Sequence, residues 1–356
     1  MPLQTPLHGG PDDGPQIDWD FSSNANAVPL PQALYDKLTG ADRRLYPDPQ
    51  YTALREHLAS VQGVASSRIV PTAGSSEVIR RLTLAAYLRG IRQVWVPRPA
   101  YGDYEAAAHA LGMSVAVYDN PMQANGDALL WLCEPCNPTG QSKSAAFWSS
   151  LAEHGRLHPD LVVAVDRAYE PLRLHGDDPV DDCVADVCWQ LWSPNKALGL
   201  TGVRAGWMQT PLLTGDGVQA LHAAVQALAP SWVVSAEGIQ LLMHWHDDDV
   251  QSWLKAARCE LNIWMQAMQH DLTQLGWYCQ PSVVPFFLLQ SMTDDISNMP
   301  HLLSFLREQG IKLRDTGSMG LPGRLRLRAH VPQAQEALRQ ALFAWAMQAA
   351  SPRMSA

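Results

Sequence analysis

The sequence predicts an α/β protein: a large domain on a mostly parallel mixed sheet flanked by helices, followed by a smaller α+β C-terminal domain. Three observations predict it. Between residues 69 and 209, short apolar runs alternate with stretches of helical spacing. Those runs are near-continuously apolar rather than alternating, as expected of strands buried on both faces of a parallel sheet. Beyond Gln209 the order changes to helices, then a few strand-like runs among further helices. The expected boundaries are an N-terminal arm over 1–40 that packs with the small domain, a large domain over 41–247, and a small domain over 248–356.

Residues 1–30 are rich in Pro, Gly, Asp and Asn, the composition of an arm. A short helix follows Pro31, and Arg44-Leu45-Tyr46-Pro47-Asp48 is a polar turn. Thr52 to Val61 has helical spacing and stops at Gly63. Ile69 to Thr72 reads as a strand, and Ala73-Gly74-Ser75-Ser76 opens a helix to Leu88. Glycine lets a ligand approach the backbone, and a helix start leaves N–H groups free, so this turn is a candidate anion site. Strands are expected at Gln93–Val96, Ser114–Tyr118, Ala128–Cys133, Leu161–Val165, Val187–Trp192 and Val203–Gln209. Helices are expected at Tyr104–Leu111, Ser144–His154, Val218–Leu228 and Ser235–Trp245. Asp248 to Gly276 reads as a long connecting helix. The last part holds strand-like Pro285–Gln290, Ile311–Arg314 and Leu325–Arg328, with helices near Pro300–Gln309 and Pro332–Gln348.

The chain of 356 residues is 47% hydrophobic and 17% charged, an ordinary balance for a globular enzyme. Its net charge of −9 argues against nucleic acid as a partner. Met1 to Gly14 lacks the layout of a signal peptide, and no apolar run is long enough for a membrane span, so a cytoplasmic location is expected. Six cysteines in such a length do not make a disulfide scaffold. Cys133 and Cys136 form C-x-x-C, but no second ligand pair has metal-site spacing, so they read as structural thiols and no metal is expected. His244 and His246 point to different faces of a helix and read as ordinary histidines.

Ligands of open α/β sheets bind where strands end at their carboxyl side. The distinctive polar residues fall at such ends: Gly74-Ser75-Ser76, Tyr101, Asn137, Asp166 with Tyr169, and Ser193 with Lys196. A lysine at a strand end is readily desolvated, which frees its amine for Schiff-base chemistry. The set suits pyridoxal 5'-phosphate. Lys196 supplies the amine, and Asp166 supplies an anion for the ring nitrogen. Asn137 and Tyr169 supply donors for the phenolic oxygen, and Tyr101 an aromatic face. Gly74, Ser75, Ser76, Ser193 and Arg204 supply a phosphate cradle.

These residues also carry a resemblance. Asn137-Pro138-Thr139-Gly140, Asp166-x-Ala168-Tyr169, Ser193-x-x-Lys196 and Gly202-x-Arg204-x-Gly206 resemble the motifs of the class I/II aminotransferases, pyridoxal-phosphate enzymes of fold type I. The resemblance spans nearly the whole chain. It implies a homodimer in which Tyr46 reaches the phosphate of the neighbouring subunit's cofactor. Arg167 stands where relatives usually carry an acidic residue and is expected to point away from the ring; Pro194 is unusual in the lysine motif.

Within the family, His8-Gly9-Gly10, Asp20-Phe21-Ser22-Ser23-Asn24-x-Asn26 and Arg44-x-Tyr46-Pro47-Asp48 are similar to threonine-phosphate decarboxylases of cobalamin biosynthesis, with histidinol-phosphate aminotransferases as their near relatives. Ala27 departs from the decarboxylase pattern. The likeness implies a substrate site of His8, Gly9, Asn24, Arg314 and Arg328, with Arg328 at the carboxylate-binding position and Arg314 at the position used for phosphate. Arg324 and Arg326 alternate with apolar residues and read as candidate solvent-facing charges. The expected substrate is a small phosphorylated amino acid or amine, most simply threonine phosphate, decarboxylated to an aminopropanol phosphate. Transamination with a 2-oxo acid is the alternative, because the same residues serve both. A non-catalytic sensor is a third reading, disfavoured because no basic helix-turn-helix precedes residue 30. An unrelated nucleotide-binding protein would need a glycine-rich turn that Ala73-Gly74-Ser75-Ser76 lacks.

Overall fold

The computed structural model describes residues 8–212, 214–292 and 298–350; the expected arm and small domain extend, at 1–7, 293–297 and 351–356, outside the described residues. In chain order the elements begin with β1 (Trp19–Asp20), α1 (Gln32–Thr39) and α2 (Thr52–Gln62). The large sheet and its helices follow: β2 (Ile69–Thr72), α3 (Ser75–Leu88), β3 (Gln93–Pro97), α4 (Gly102–Ala110), β4 (Ser114–Tyr118), β5 (Ala128–Cys133), α5 (Ala145–Leu157), β6 (Val162–Asp166), α6 (Asp182–Ala185), β7 (Trp189–Trp192) and β8 (Gly206–Gln209). Next come α7 (Asp216–Ala227), α8 (Ala236–His244) and the long α9 (Asp248–Gln274). The last part holds β9 (Trp277–Cys279), β10 (Phe286–Ser291), α10 (Met299–Glu308), β11 (Ile311–Lys312), β12 (Arg314–Asp315), β13 (Arg324–Arg328) and α11 (Pro332–Ala350).

The central sheet has seven strands in the order β2-β8-β7-β6-β5-β3-β4. Strands β4, β3, β5, β6 and β7 run parallel, while β8 is antiparallel to both β7 and β2. This is the mixed, mostly parallel sheet that the apolar runs foreshadow. Its middle strands are walled on one face by Val94, Trp131 and Leu191 with α3 and α4, and on the other by Leu130, Val163 and Trp148 of α5. Burial on both faces explains why β5 and β6 read as unbroken hydrophobic stretches.

A second, antiparallel sheet has the order β12-β13-β10-β9. The run read as one strand over Ile311–Arg314 is two. Ile311 and Lys312 pair with Trp19 and Asp20, whereas Arg314 and Asp315 pair with Arg326 and Leu325. The arm is therefore attached to the C-terminal part by strand pairing. Phe21, α9 and the inner faces of β10 and β13 share one apolar cluster. The register of β13 matters most for the site. Leu325 and Leu327 are fully buried on that core side. Strand alternation then turns Arg324, Arg326 and Arg328 to the opposite face.

Candidate active site

The loops after β2, β5, β6 and β7 converge at the carboxyl ends of the parallel strands. After β2 the chain turns at Gly74, whose φ of +87° belongs to the left-handed region that glycine tolerates. A Cβ there would meet the Arg204 guanidinium at 2.9 Å, with the Ser193 hydroxyl 3.8 Å away. The buried hydroxyls of Ser75, in the first turn of α3, and of Thr72 just before it make no hydrogen bond. A guanidinium, two serines and the N-terminus of a 14-residue helix thus face one small space. Together they form an anion cradle.

Asp166 ends β6 and is almost completely buried. It accepts from the Tyr104 hydroxyl and from the Ala168 backbone N–H, both at 3.0 Å. Burial raises its pKa, and the nearby Lys196 opposes that rise. Lys196 shows the mirror effect. Burial lowers its pKa, Asp166 opposes, and Arg204 and Arg326 lower it further. The loop around β7 therefore holds an amine biased toward its neutral, nucleophilic form. Its Nζ lies 5.3 Å from the centre of the Tyr169 ring, which stands edge-on to Phe286. The Tyr169 phenol is raised by burial and partly restored by Arg326.

On the far wall, the Tyr101 hydroxyl lies 3.3 Å from Ser76 Oγ, and its ring stands edge-on to Tyr104. His8 reaches this wall from the arm. Its ring centre is 5.7 Å from that of Tyr101, and its Nε2 is 3.4 Å from the buried Asp103. The backbone beside His8 is built tightly: a Cβ at Gly9 would collide with the Ser22 carbonyl oxygen at 2.1 Å. Asn24 is buried beside Tyr169, and its amide makes no hydrogen bond of ordinary geometry.

The arginines of β13 depart from the sequence reading. Arg326 does not face solvent; it is buried, and burial brings its pKa down to about 10. Its guanidinium donates to Asn137 Oδ1 at 2.5 Å and to the Ser22 carbonyl at 2.6 Å. Arg328 is instead committed to the arm, donating to the carbonyls of Asp20 and Ala25 at 2.9 and 3.0 Å. The central arginine of the trio is the one that enters the cleft. The available signal was its mid-strand position, where a side chain is farthest from the open ends. Arg314 is buried near Tyr101 and donates to Ser318 Oγ at 2.9 Å. Tyr46 lies outside its own chain's cleft, exposed and stacked on Trp232 with ring centres 4.2 Å apart. Cys133 and Cys136 are free, and burial raises both thiols. His244 bonds Asp247 at 2.8 Å, while burial lowers the His246 pKa to about 4.

The model of the family "Aminotransferase class I and II" matches residues 17–342. The chain belongs to this family. Among curated aminotransferases, it is 29% identical to the histidinol-phosphate aminotransferase of Hyphomonas neptunium over 86% of this chain and 84% of that one. The L-threonine-O-3-phosphate decarboxylase of Porphyromonas gingivalis shares the fold, with a TM-score of 0.71, 21% identity, and coverage of 92% of this chain and 99% of that chain. The histidinol-phosphate aminotransferase of Sinorhizobium meliloti, solved in complex with pyridoxal-5'-phosphate, has a TM-score of 0.75 at 18% identity, covering 94% of this chain and 92% of that chain. Class I/II aminotransferases are enzymes that use pyridoxal phosphate.

The residues present fit that cofactor. The unbonded hydroxyls of Thr72 and Ser75 beside Arg204 suit a phosphate. The desolvated Lys196 suits a carbonyl partner, and the buried Asp166 carboxylate suits a cationic ring nitrogen. Among the described residues no cluster of acidic, histidine or cysteine side chains could hold a metal, and no helix is long and apolar enough to cross a membrane.

Proposed function

We propose that this enzyme acts on a small phosphorylated amino acid and removes its carboxylate, in the manner of an L-threonine-O-3-phosphate decarboxylase. The observation that carries this reading is the position of His8-Gly9-Gly10 at the cleft. His8 stands against Tyr101 and Asp103, and the following glycines pack on Ser22, whose carbonyl accepts from Arg326. The arm thereby puts an imidazole against Tyr101, which also neighbours the buried Arg314, and a guanidinium there suits a distal phosphate. Arg326 is assigned to the substrate carboxylate in place of Arg328, since its guanidinium reaches the Asn137 loop.

When bound, pyridoxal phosphate supplies an electron sink for whichever bond is broken at the substrate Cα. Loss of carbon dioxide breaks the bond from Cα to the carboxylate, and Cα then takes up one proton. Lys196, flanked by Asp166 and Tyr169, is the group assigned to move that proton. A homodimer belongs to the same reading, supported by the exposed Leu45, Tyr46 and Trp232. A second reading, transamination of the histidinol-phosphate type, is favoured by the names of the curated relatives.

The test supplies threonine phosphate alone to the cofactor-loaded enzyme. Release of carbon dioxide without any acceptor is the expected result. Turnover that requires a 2-oxo acid would replace this reading with the second.

A further inference from the structure

Behind the cleft lies a chain of charges, buried except at its Asp178 end, that the proposed chemistry does not use. Glu134, in the loop after β5, is wholly buried. Its carboxylate accepts from Ser142 Oγ at 2.5 Å, from the Lys143 backbone N–H at 2.9 Å and from Arg173 Nη2 at 2.9 Å. Arg173, after β6, also pairs with Glu170 through two hydrogen bonds of 2.7 and 2.8 Å. Glu170 lies 3.4 Å from Arg167, and Arg167 pairs with Asp178 at 2.5 Å while lying over the Trp192 ring at the end of β7. Arg167, which departs from the acidic residue usual in relatives, takes up this connecting role.

The network joins the strand-end loops that carry the site. Glu134 and Ser142 bracket Asn137. Arg167, Glu170 and Arg173 surround Tyr169 in sequence and follow directly on Asp166. Trp192 precedes Ser193 and Lys196. Two backbone bonds run alongside: Glu134 N–H to the Asp166 carbonyl at 3.0 Å, and Arg167 N–H to the Leu191 carbonyl at 2.8 Å. Buried charge pairs of this kind contribute little net stability but strongly favour one geometry when every partner is present. We propose that Glu134 and Arg173 are positioning residues, which fix Asn137 relative to Tyr169 and so set the binding and proton affinity of the group held between them and Lys196. This rests on the pyridoxal-phosphate reading of the site.

The experiment compares wild type with Arg173→Met, Arg173→Lys and the double variant Glu134→Gln/Arg173→Met. Each is assayed for melting temperature, pyridoxal-phosphate Kd, the pH midpoint of the bound-cofactor visible band, and kcat and KM. Arg173→Met leaves Glu134 buried and unpaired, so both melting temperature and affinity should fall. The double variant removes both charges and should recover most of the melting temperature. Its Kd should nevertheless stay raised about tenfold, as for lost outer-shell partners of other bound groups, with a displaced pH midpoint. Arg173→Lys should restore part of both. A double variant with recovered melting temperature and wild-type Kd, midpoint and kcat would overturn the proposal. Failure of the wild type to bind pyridoxal phosphate would instead sink the reading beneath it.

Discussion

The Arg326 guanidinium donates to Asn137 Oδ1 at 2.5 Å and so joins the second, antiparallel sheet to the loop that follows β5 of the central one. The same guanidinium holds the arm through Ser22. Three segments remote in sequence meet at one side chain, and a substrate carboxylate arriving there would compete for donors already in place.

Substitution of the β13 arginines should therefore separate function from stability. Arg326→Met is expected to lower kcat/KM on the order of a hundredfold, the scale for losing one partner of a buried charge pair. Arg328→Met removes donors from the Asp20 and Ala25 carbonyls and should instead cost about 1–3 kcal/mol in urea unfolding, with a smaller effect on kcat/KM. The reverse ranking would return the carboxylate to Arg328.

Gly74→Ala should act on the phosphate. The new methyl group meets the Arg204 guanidinium at 2.9 Å and must adopt a φ of +87°. With ψ at 173° this is an extended, positive-φ backbone adopted essentially by glycine alone, and forcing alanine into it costs about 1–3 kcal/mol. Pyridoxal phosphate should bind more weakly, while pyridoxal, which lacks the phosphate, should lose much less affinity. Equal losses for the two ligands would argue that the turn does not hold the phosphate.

His330 makes the arm acid-sensitive. Burial, aided by Arg328, lowers its pKa from 6.5 to about 4. As a neutral ring it accepts from the Val331 backbone N–H at 2.8 Å, and its Nε2 lies 3.2 Å from the Arg328 guanidinium. Between the two pKa values the unfolded chain binds more protons than the folded one, so stability rises with pH across that window and falls on acidification. Guanidinium melts at pH 7 and pH 4.5 should show the loss, and His330→Gln should shrink the gap between them. A gap unchanged by that substitution would place the acid sensitivity elsewhere, His246 being the next group with a similar shift.

Tyr46 and Trp232 should matter to assembly rather than to folding. Both are exposed and stacked on each other. Trp232→Ser is expected to leave the melting temperature of dilute protein nearly unchanged and to weaken self-association by at least about tenfold in sedimentation equilibrium. Unaltered association would remove this patch from the proposed dimer.

The candidate cofactor half of the site is the more legible in sequence because most of its parts lie just after a locally recognisable strand. Asp166, Ser193 and Lys196 follow apolar runs that could be seen without their neighbours. The substrate half was harder, since it depends on pairings between distant segments. Which arginine of Arg324–Arg328 enters the cleft is set by the register of β13 against β10, with Leu288 opposite Arg326. The two-residue β1 has no periodicity of its own and exists because Ile311 and Lys312 lie beside it. The Glu134 to Arg167 network is not visible in the sequence for a related reason: apart from Arg167, its members look like ordinary loop charges, and only the packed loops bury them.

The arm's attachment also has a meaning in time. Ser22 and Arg326 are 304 residues apart, and Trp19 pairs with Ile311. During synthesis the arm leaves the ribosome long before β11 and β13 exist, and the strands that end at Asp166 and Trp192 are complete well before them too. At about 5–20 residues per second, tens of seconds separate these events. The strands that carry the candidate cofactor cradle can thus pair on the growing chain, but the proposed substrate pocket must await its last part. Nascent protein should take up pyridoxal phosphate before it becomes capable of turnover.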